Sequence, residues 1–156
     1  MISFCFTFLI HFHYTSLSPK RRQPACGILV PVGIPTQAEI EEFLKEFKRC
    51  WDGKVIDRVN RKNDDTLAEL GFLPQHRTYE IHRLVHTDFY RGPSPDHDIA
   101  GHEWWEFGRK VKGREIYIKI KVYVTEDGEK GGRCMSFHFP EKKITYPYKK
   151  KGRGRV

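Results

Sequence analysis

The chain has 156 residues, of which 38% are hydrophobic and 31% are charged. This length accommodates one domain with tails, and this composition excludes a chain that is disordered throughout. The formal net charge is +8, but residues 1–22 and 142–156 contain ten of the basic residues and no acidic ones. Between 23 and 141 there remain 18 basic and 20 acidic residues, so a nucleic-acid interface in the domain has to be predicted from the local placement of charge.

Both ends of the chain are predicted to lie outside the domain. Residues 1–10 are apolar but too short to span a membrane. We interpret residues 1–26 as a poorly ordered extension, with a signal peptide as the alternative. Residues 27–148 form the predicted domain and 149–156 a basic tail. The four cysteines are scattered without a C-x-x-C pair, which excludes a disulfide framework or a zinc knuckle and favours a cytoplasmic location.

The first helix has the clearest sequence signal. Thr36 and Glu39 form an S/T-x-x-E capping box, which satisfies free backbone amides at a helix start. Apolar residues then recur at helical spacing, at Ile40, Phe43, Leu44 and Phe47. The pattern predicts a helix that runs to about Trp51.

Shorter elements are predicted next along the chain. An apolar run at 55–59 predicts an edge strand, and a two-turn helix is predicted from Asn63 or Asp64 to Gly71. Another helix begins at Pro74, which suits the first helical turn. A last helical turn is predicted over 87–90, followed by a loop over 92–101.

Strands are predicted after residue 101. They cover 102–110, 114–124 and 133–139, with a short fourth strand at 144–148. Because helices come first and strands second, the predicted fold class is α+β. In this prediction, N-terminal helices pack on a C-terminal antiparallel sheet of three to four strands.

Strand alternation divides the predicted sheet into two faces. The apolar face is predicted to be buried against the first helix and carries Ile116, Ile118, Ile120, Val122, Val124, Trp105, Phe107, Met135, Phe137 and Phe139. The opposite face is predicted to be open and carries Trp104, Glu106, Tyr117, Lys119, Lys121, Tyr123, Cys134, Ser136 and His138. For Cys134 the alternative is a small buried hydrophobic residue.

The open face has the side chains needed to cleave RNA without a metal. Cleavage needs a base for a 2′-hydroxyl, a cation for the charged phosphorane and an acid for the leaving 5′-oxygen. His138 is the predicted base or acid, Glu106 is a second proton-transfer group, and Lys119 or Arg91 would bind phosphate. Unpaired bases stack on aromatic side chains, which here are Tyr117, Tyr123 and Trp104.

Structural explanations exist for the same residues. Alternating Tyr and Lys also describes a solvated sheet face, a strand histidine is more often structural than catalytic, and Glu106 would also suit a surface ion pair. A metal site is a further alternative, although neither histidine group has a strong ligand spacing: His97 with His102, or His76 with His82 and His86. No cofactor is expected.

Seven short stretches carry a resemblance to a known family. They are 60–63 (NRKN), 66–71 (TLAELG), 88–93 (DFYRGP), 105–108 (WEFG), 116–120 (IYIKI), 136–138 (SFH) and 146–149 (YPYK). Their order and spacing resemble the MqsR family of bacterial type II toxins over roughly residues 36–149. The resemblance implies a RelE-like fold, metal-independent cleavage of mRNA and neutralisation by a cognate antitoxin, with operator DNA contacted only through the antitoxin complex.

The resemblance also implies site residues. Glu106 and His138 stand where the best-known members carry Gln and Lys. The family's other site residues fall on Tyr90, Arg91 and Tyr117, with a further arginine near Arg109.

The sequence therefore predicts an endoribonuclease toxin that cuts single-stranded mRNA through attack of a 2′-hydroxyl and that needs no membrane. The predicted catalytic residues are His138, Tyr117, Glu106 and Arg91. The predicted RNA-binding residues are Tyr90, Lys119, Lys121, Tyr123, Trp104 and Arg109. The alternative is a non-catalytic protein of the same fold that binds RNA or a partner.

Overall fold

The computed structural model describes residues 33–53, Val55 and residues 61–149. The predicted extension at 1–26 and residues 150–156 of the predicted tail lie outside these described residues. Of the predicted edge strand at 55–59, only Val55 is described, and it forms an isolated parallel bridge with Cys134.

The first helix, α1, spans Gln37–Cys50 and begins with the predicted capping box. The Thr36 backbone amide donates to Glu39 Oε2 at 2.9 Å, and Thr36 Oγ1 accepts from the Glu39 amide at 3.3 Å. These bonds satisfy amide groups that a helix start otherwise leaves free. The apolar stripe of α1 is buried through Ile40, Leu44 and Phe47, so the predicted helix and its inward face are confirmed.

Two shorter helices follow. Helix α2 spans Lys62–Leu70 and ends at Gly71, whose φ of 63° is the left-handed conformation that glycine adopts readily. Helix α3 spans Pro74–His82, with proline in its first turn. The start of α2 differs from the prediction because Asn63 lies inside the helix, where its side chain binds strand backbone instead of capping the helix.

The helical turn predicted over 87–90 is wrong for its second half. A 3₁₀ turn covers His86–Asp88, and strand β1 then spans Phe89–Pro95. Phe89 is fully buried and pairs with Phe107 of the next strand, so tertiary burial overrides the local turn signal. The loop predicted from 92 accordingly begins only after Pro95.

The remaining strands are β2 at Glu103–Val111, β3 at Arg114–Val124 and β4 at Lys130–His138. Together with β1 they form a four-stranded antiparallel sheet in the order β1-β2-β3-β4. The predicted α+β class is therefore confirmed. The fourth strand is β1, however, and the segment 144–148 that was predicted to supply it forms no strand.

One face of the sheet packs on α1, as predicted. The ring of Phe43 stacks on Trp105 with a centroid distance of 4.4 Å, and Phe47 is completely buried. Val124 was predicted to join this core but is half exposed at the end of its strand. The sheet residues of this face with the least solvent contact are Phe89, Phe107, Ile116, Ile118, Ile120, Cys134 and Phe137.

A bulge in β4 corrects the predicted facing of two residues. Lys119 pairs with Ser136 and Ile120 pairs with Cys134, so Met135 is an extra residue without a partner in β3. The side chains of β4 before and after Met135 therefore do not follow one strict alternation between the two faces of the sheet. Cys134 is fully buried on the core side rather than on the open face, and Met135 is only half buried.

Among the residues described, no helix combines the length and the apolar character needed to cross a membrane.

Candidate functional site

Strand pairing brings five of the predicted site residues onto adjacent positions. Arg91 of β1 lies opposite Glu106 of β2, and Tyr117 of β3 lies opposite His138 of β4. Glu106 in turn lies opposite Lys119 of β3. All of these residues lie on the sheet face that does not pack on α1. Alternation predicted this face for Glu106, Tyr117, Lys119 and His138, whereas Arg91 belongs to a strand that was not predicted.

A cavity of about 300 Å³ lies against this face. It brings together three of the four predicted catalytic residues and one predicted RNA-binding residue. It is lined by Tyr90, Arg91, Tyr117, His138, Pro140, Glu141, Lys142 and Ile144.

Arg91 is held by a buried carboxylate. Its Nε donates to Glu106 Oε2 at 2.6 Å, and this bond raises the pKa of the Arg91 guanidinium. The Glu106 side chain is 4% exposed, whereas that of Arg91 is 64% exposed. The bond to Glu106 uses Nε, and Arg91 also interacts with the Tyr117 hydroxyl, so an anion in the cavity would meet the exposed end of the guanidinium beside Tyr117.

Glu106 lies on the predicted face but does not reach the cavity, so the structure does not support its predicted role in proton transfer. It does not line the cavity, and its carboxylate lies behind Arg91 and Tyr117. Such a group orients the side chains that reach the cavity, and it is not placed to exchange protons with a ligand there.

Tyr117 is kept protonated by its surroundings. Burial raises the pKa of its hydroxyl, and the neighbouring Glu106 carboxylate raises it further by repelling the phenolate and accepting a bond from the phenol. The nearby Arg91 partly offsets this effect. Tyr117 is consequently a hydrogen-bond donor at neutral pH and not a base.

His138 has a defined tautomer. Its Nδ1 lies 2.9 Å from the Phe139 carbonyl oxygen. A carbonyl only accepts, so Nδ1 carries the proton, and Nε2 of the neutral ring has the free lone pair. The His138 ring lies 5.3 Å from that of Tyr117, centroid to centroid. Nε2 is therefore the basic nitrogen beside a protonated phenol.

The far wall of the cavity comes from the segment after β4, which the sequence prediction did not include. Pro140, Glu141, Lys142 and Ile144 belong to it. Glu141 is bound by Lys62 of α2, and this ion pair lowers the pKa of the Glu141 carboxyl. The sequence feature that could have predicted this wall is the position of these residues directly after His138. The basic residues there, however, resemble the start of a solvated tail.

The other predicted RNA-binding residues on this face have different surroundings. Lys121 is 2% exposed and forms a buried ion pair with Asp96. Trp104 is also buried, with the ammonium groups of Lys119 and Lys121 at 5.2 and 4.6 Å from its ring centroid. The ring of Trp104 and the ammonium group of Lys121 therefore bind other groups of the protein. They do not form the open binding surface that alternation predicted. Lys119 remains half exposed.

Tyr123 lies at the far end of the same face. Arg133 of β4 lies over its ring, 4.7 Å from the centroid. A Cβ atom at Gly131 would collide with the same ring, so Gly131 is in direct contact with it. The Tyr123 ring is thus already covered by protein groups and does not line the cavity.

Arg109 lies on the opposite side of the sheet, away from the cavity. Its Nε donates to Glu80 at 2.9 Å, and its Nη1 donates to Asp88 at 2.9 Å and to the Arg83 carbonyl at 3.0 Å. Its side chain is 15% exposed. Arg109 therefore joins α3 and the 3₁₀ turn to β2, and it does not line the cavity.

His97 is exposed and His102 half exposed, in the loop between β1 and β2. Within residues 33–53, Val55 and 61–149, no three His, Cys, Asp or Glu side chains come together in a metal-binding arrangement.

Comparisons of this chain with protein-family models, with curated proteins and with solved structures find no match.

Proposed function

We propose that this protein is a metal-independent endoribonuclease that cuts single-stranded RNA by attack of a 2′-hydroxyl on the adjacent phosphate. One observation carries the proposal. The basic Nε2 of His138, the protonated hydroxyl of Tyr117 and the guanidinium of Arg91 border the same cavity of about 300 Å³. A base can take up the 2′-hydroxyl proton, and a hydrogen-bond donor and a fixed cation can stabilise the charged phosphorane.

Each group has a defined step in the proposed reaction. His138 Nε2 takes the 2′-hydroxyl proton while the O2′–P bond forms. Arg91 binds the non-bridging phosphate oxygens, whose charge grows in the transition state, and the Tyr117 hydroxyl turns its one proton from Glu106 to one of them. The P–O5′ bond then breaks on the side opposite O2′, the leaving oxygen takes a proton from water, and His138 releases its proton to solvent. The products are a 2′,3′-cyclic phosphate and a 5′-hydroxyl.

The resemblance to MqsR toxins supports the biological setting of the proposal. In that setting the substrate is mRNA in the cytoplasm, the fold is RelE-like, and a cognate antitoxin neutralises the enzyme. Tyr90 and Lys142 line the cavity beside Arg91, where an aromatic ring and a cation suit a flanking nucleotide.

A second candidate is a non-catalytic protein that binds RNA or a partner through the same cavity. The Arg91–Glu106 pair favours it, since Glu106 neutralises the charge that would stabilise a phosphorane. The two candidates differ in what the loss of His138 does.

The test uses the purified full-length chain and end-labelled single-stranded RNA in the presence of EDTA. His138→Ala is compared with the wild type and with His97→Ala, an exposed histidine outside the cavity. We expect new 5′-hydroxyl ends with the wild type and His97→Ala, and a rate at least about 100-fold lower with His138→Ala. RNA affinity should change little.

An RNA with one 2′-deoxynucleotide on the 5′ side of the mapped cleavage site should stay intact at that site. Cleavage there would reject attack by the 2′-hydroxyl, and equal rates for wild type and His138→Ala would reject His138 as the base. Binding without any cleavage would reject the nuclease. Binding without cleavage would support the second candidate.

A further inference from the structure

The outer edge of β4 is closed by a helix side chain. Among the described residues β4 is the last strand of the sheet, and an edge strand leaves backbone amides and carbonyls without strand partners. At this edge Asn63 of α2 donates from Nδ2 to the Met135 carbonyl at 3.2 Å, and its Oδ1 accepts from the Phe137 amide at 2.8 Å. An acceptor and a donor two residues apart are the pair that a neighbouring strand would bind.

The amide side chain of Asn63 makes both of these bonds at once. Asn supplies an acceptor and two donors on one planar group, whereas Asp supplies acceptors only and Leu supplies neither. Asn63 is 7% exposed, so water does not readily replace a missing bond. Val55 forms a parallel bridge with Cys134, the residue of β4 that precedes the two bound by Asn63. Asn63 therefore extends this edge pairing toward the cavity.

The backbone that Asn63 binds leads directly into the cavity. Phe137 precedes His138, and the tautomer of His138 is set by the carbonyl of Phe139. The orientation of the imidazole thus depends on the backbone at 137–139. Lys62, next to Asn63 in α2, binds Glu141 on the far wall of the cavity. The first turn of α2 therefore holds the segment 137–141 near both of its ends.

We propose that Asn63 is a positioning residue that sets the orientation and the tautomer of His138 through the edge of β4. The inference rests on the proposed function for its consequence in catalysis, but not for its structural content. Asn63 lies at the outer edge of β4 and does not line the cavity. Its effect on the reaction therefore passes through His138.

The test compares three variants of the full-length chain. Asn63→Asp keeps the shape and the acceptor but loses the donor, and Asn63→Ser is a milder change if the aspartate variant fails to fold. Leu67→Val is the matched control, because it alters a buried side chain of the same helix that cannot hydrogen-bond to β4. The melting temperature of each variant records the change in stability.

The first measurement is the ring ¹⁵N spectrum of His138 without RNA. We expect the wild type and Leu67→Val to show the Nδ1-protonated tautomer. Both Asn63 variants should shift the ratio toward the Nε2-protonated form. Wild-type His138 signals in both Asn63 variants would overturn the proposal, and so would an equal shift in Leu67→Val.

The second measurement is single-stranded RNA cleavage below the melting temperature of every variant. We expect kcat to fall about 10- to 100-fold in the Asn63 variants, with KM nearly unchanged. Leu67→Val should keep kcat close to the wild-type value. A wild type that cleaves no RNA would reject the proposed function, and the ring spectrum would still decide the role of Asn63. Equal kcat values in Leu67→Val and the Asn63 variants would show a merely structural role and reject the proposal.

Discussion

Glu106 accepts a 2.6 Å hydrogen bond from Nε of Arg91 across the β1–β2 pair, and only the arginine of the two reaches the cavity. A buried carboxylate behind an exposed guanidinium fixes the arginine in one orientation. It also reduces the net charge that the arginine offers to a phosphate. The following substitutions separate these effects.

Replacing Glu106 should show whether it positions Arg91 or transfers a proton. Glu106→Gln keeps a carbonyl oxygen for Arg91 Nε, so we expect RNA cleavage to fall about tenfold or less, whereas Glu106→Ala should cost about 100-fold. Single-turnover rates on one RNA measure both. A proton-transfer role would be indicated if Gln and Ala caused the same large loss, because neither side chain exchanges protons at neutral pH.

The raised pKa of Tyr117 predicts that its phenol does not ionise with ordinary tyrosines near pH 10. The absorbance of phenolate during an alkaline titration should therefore be nearly the same for wild type and Tyr117→Phe up to about pH 10.5. Tyr123→Phe serves as the comparison on the same face. A loss of one titrating group near pH 10 in Tyr117→Phe would contradict the prediction.

The buried Asp96–Lys121 pair should govern part of the acid sensitivity of the fold. The bond from Lys121 lowers the pKa of Asp96 to about 2, whereas an unfolded aspartate has a pKa of about 3.9. A lowered pKa means that the stabilisation is complete above about pH 4 and is lost as the pH falls toward 2. Urea unfolding at several pH values should show this loss in wild type and not in Asp96→Asn.

The same pair also predicts non-additive substitutions. Asp96→Asn or Lys121→Met alone should cost about 3–5 kcal/mol of unfolding free energy, because each leaves a buried charge without its partner. The double variant should cost clearly less than the sum. Simple additivity in a double-mutant cycle at pH 7 would show that the two side chains are not coupled.

Arg109 should matter for stability and not for RNA. Arg109→Ala removes a partner from Glu80 and Asp88 at once, and we expect a loss of about 3 kcal/mol in urea unfolding. Cleavage per folded molecule should stay unchanged at a temperature where the variant is folded. Arg133→Ala, which removes an arginine over Tyr123, is the control and should change stability by less than about 1 kcal/mol. A folded Arg109→Ala protein that has lost RNA affinity would restore the RNA-binding prediction.

The fold was predictable where local patterns and burial agree. The capping box at Thr36, the stop at Gly71 and the alternation of β3 each act within a few residues, and the structure has all three elements. β1 was missed because Gly92 and two prolines give the sequence 89–95 the appearance of a turn. Its strand pairing depends on Phe89 meeting Phe107, a contact that no local pattern contains.

The cavity was predictable only in part. Alternation placed Tyr117 and His138 on one face, because a strand orients side chains regardless of what they contact. Alternation does not indicate which polar side chains pair with each other inside the protein. Asp96 is 25 residues from Lys121 in the sequence and binds it in the folded protein. The burial of Lys121 therefore depends on a long-range contact that a local pattern does not contain.

The extra residue in β4 has a consequence for comparing this chain with other sequences. Cys134 and His138 are both even-numbered positions of one strand, yet they lie on opposite faces of the sheet because Met135 interrupts the alternation. A chain one residue shorter at this point would keep both the buried cysteine position and the histidine position. If such a shorter chain were aligned to this one from Cys134 onward without a gap, His138 would be matched with a residue of the core face. The gap therefore belongs at position 135.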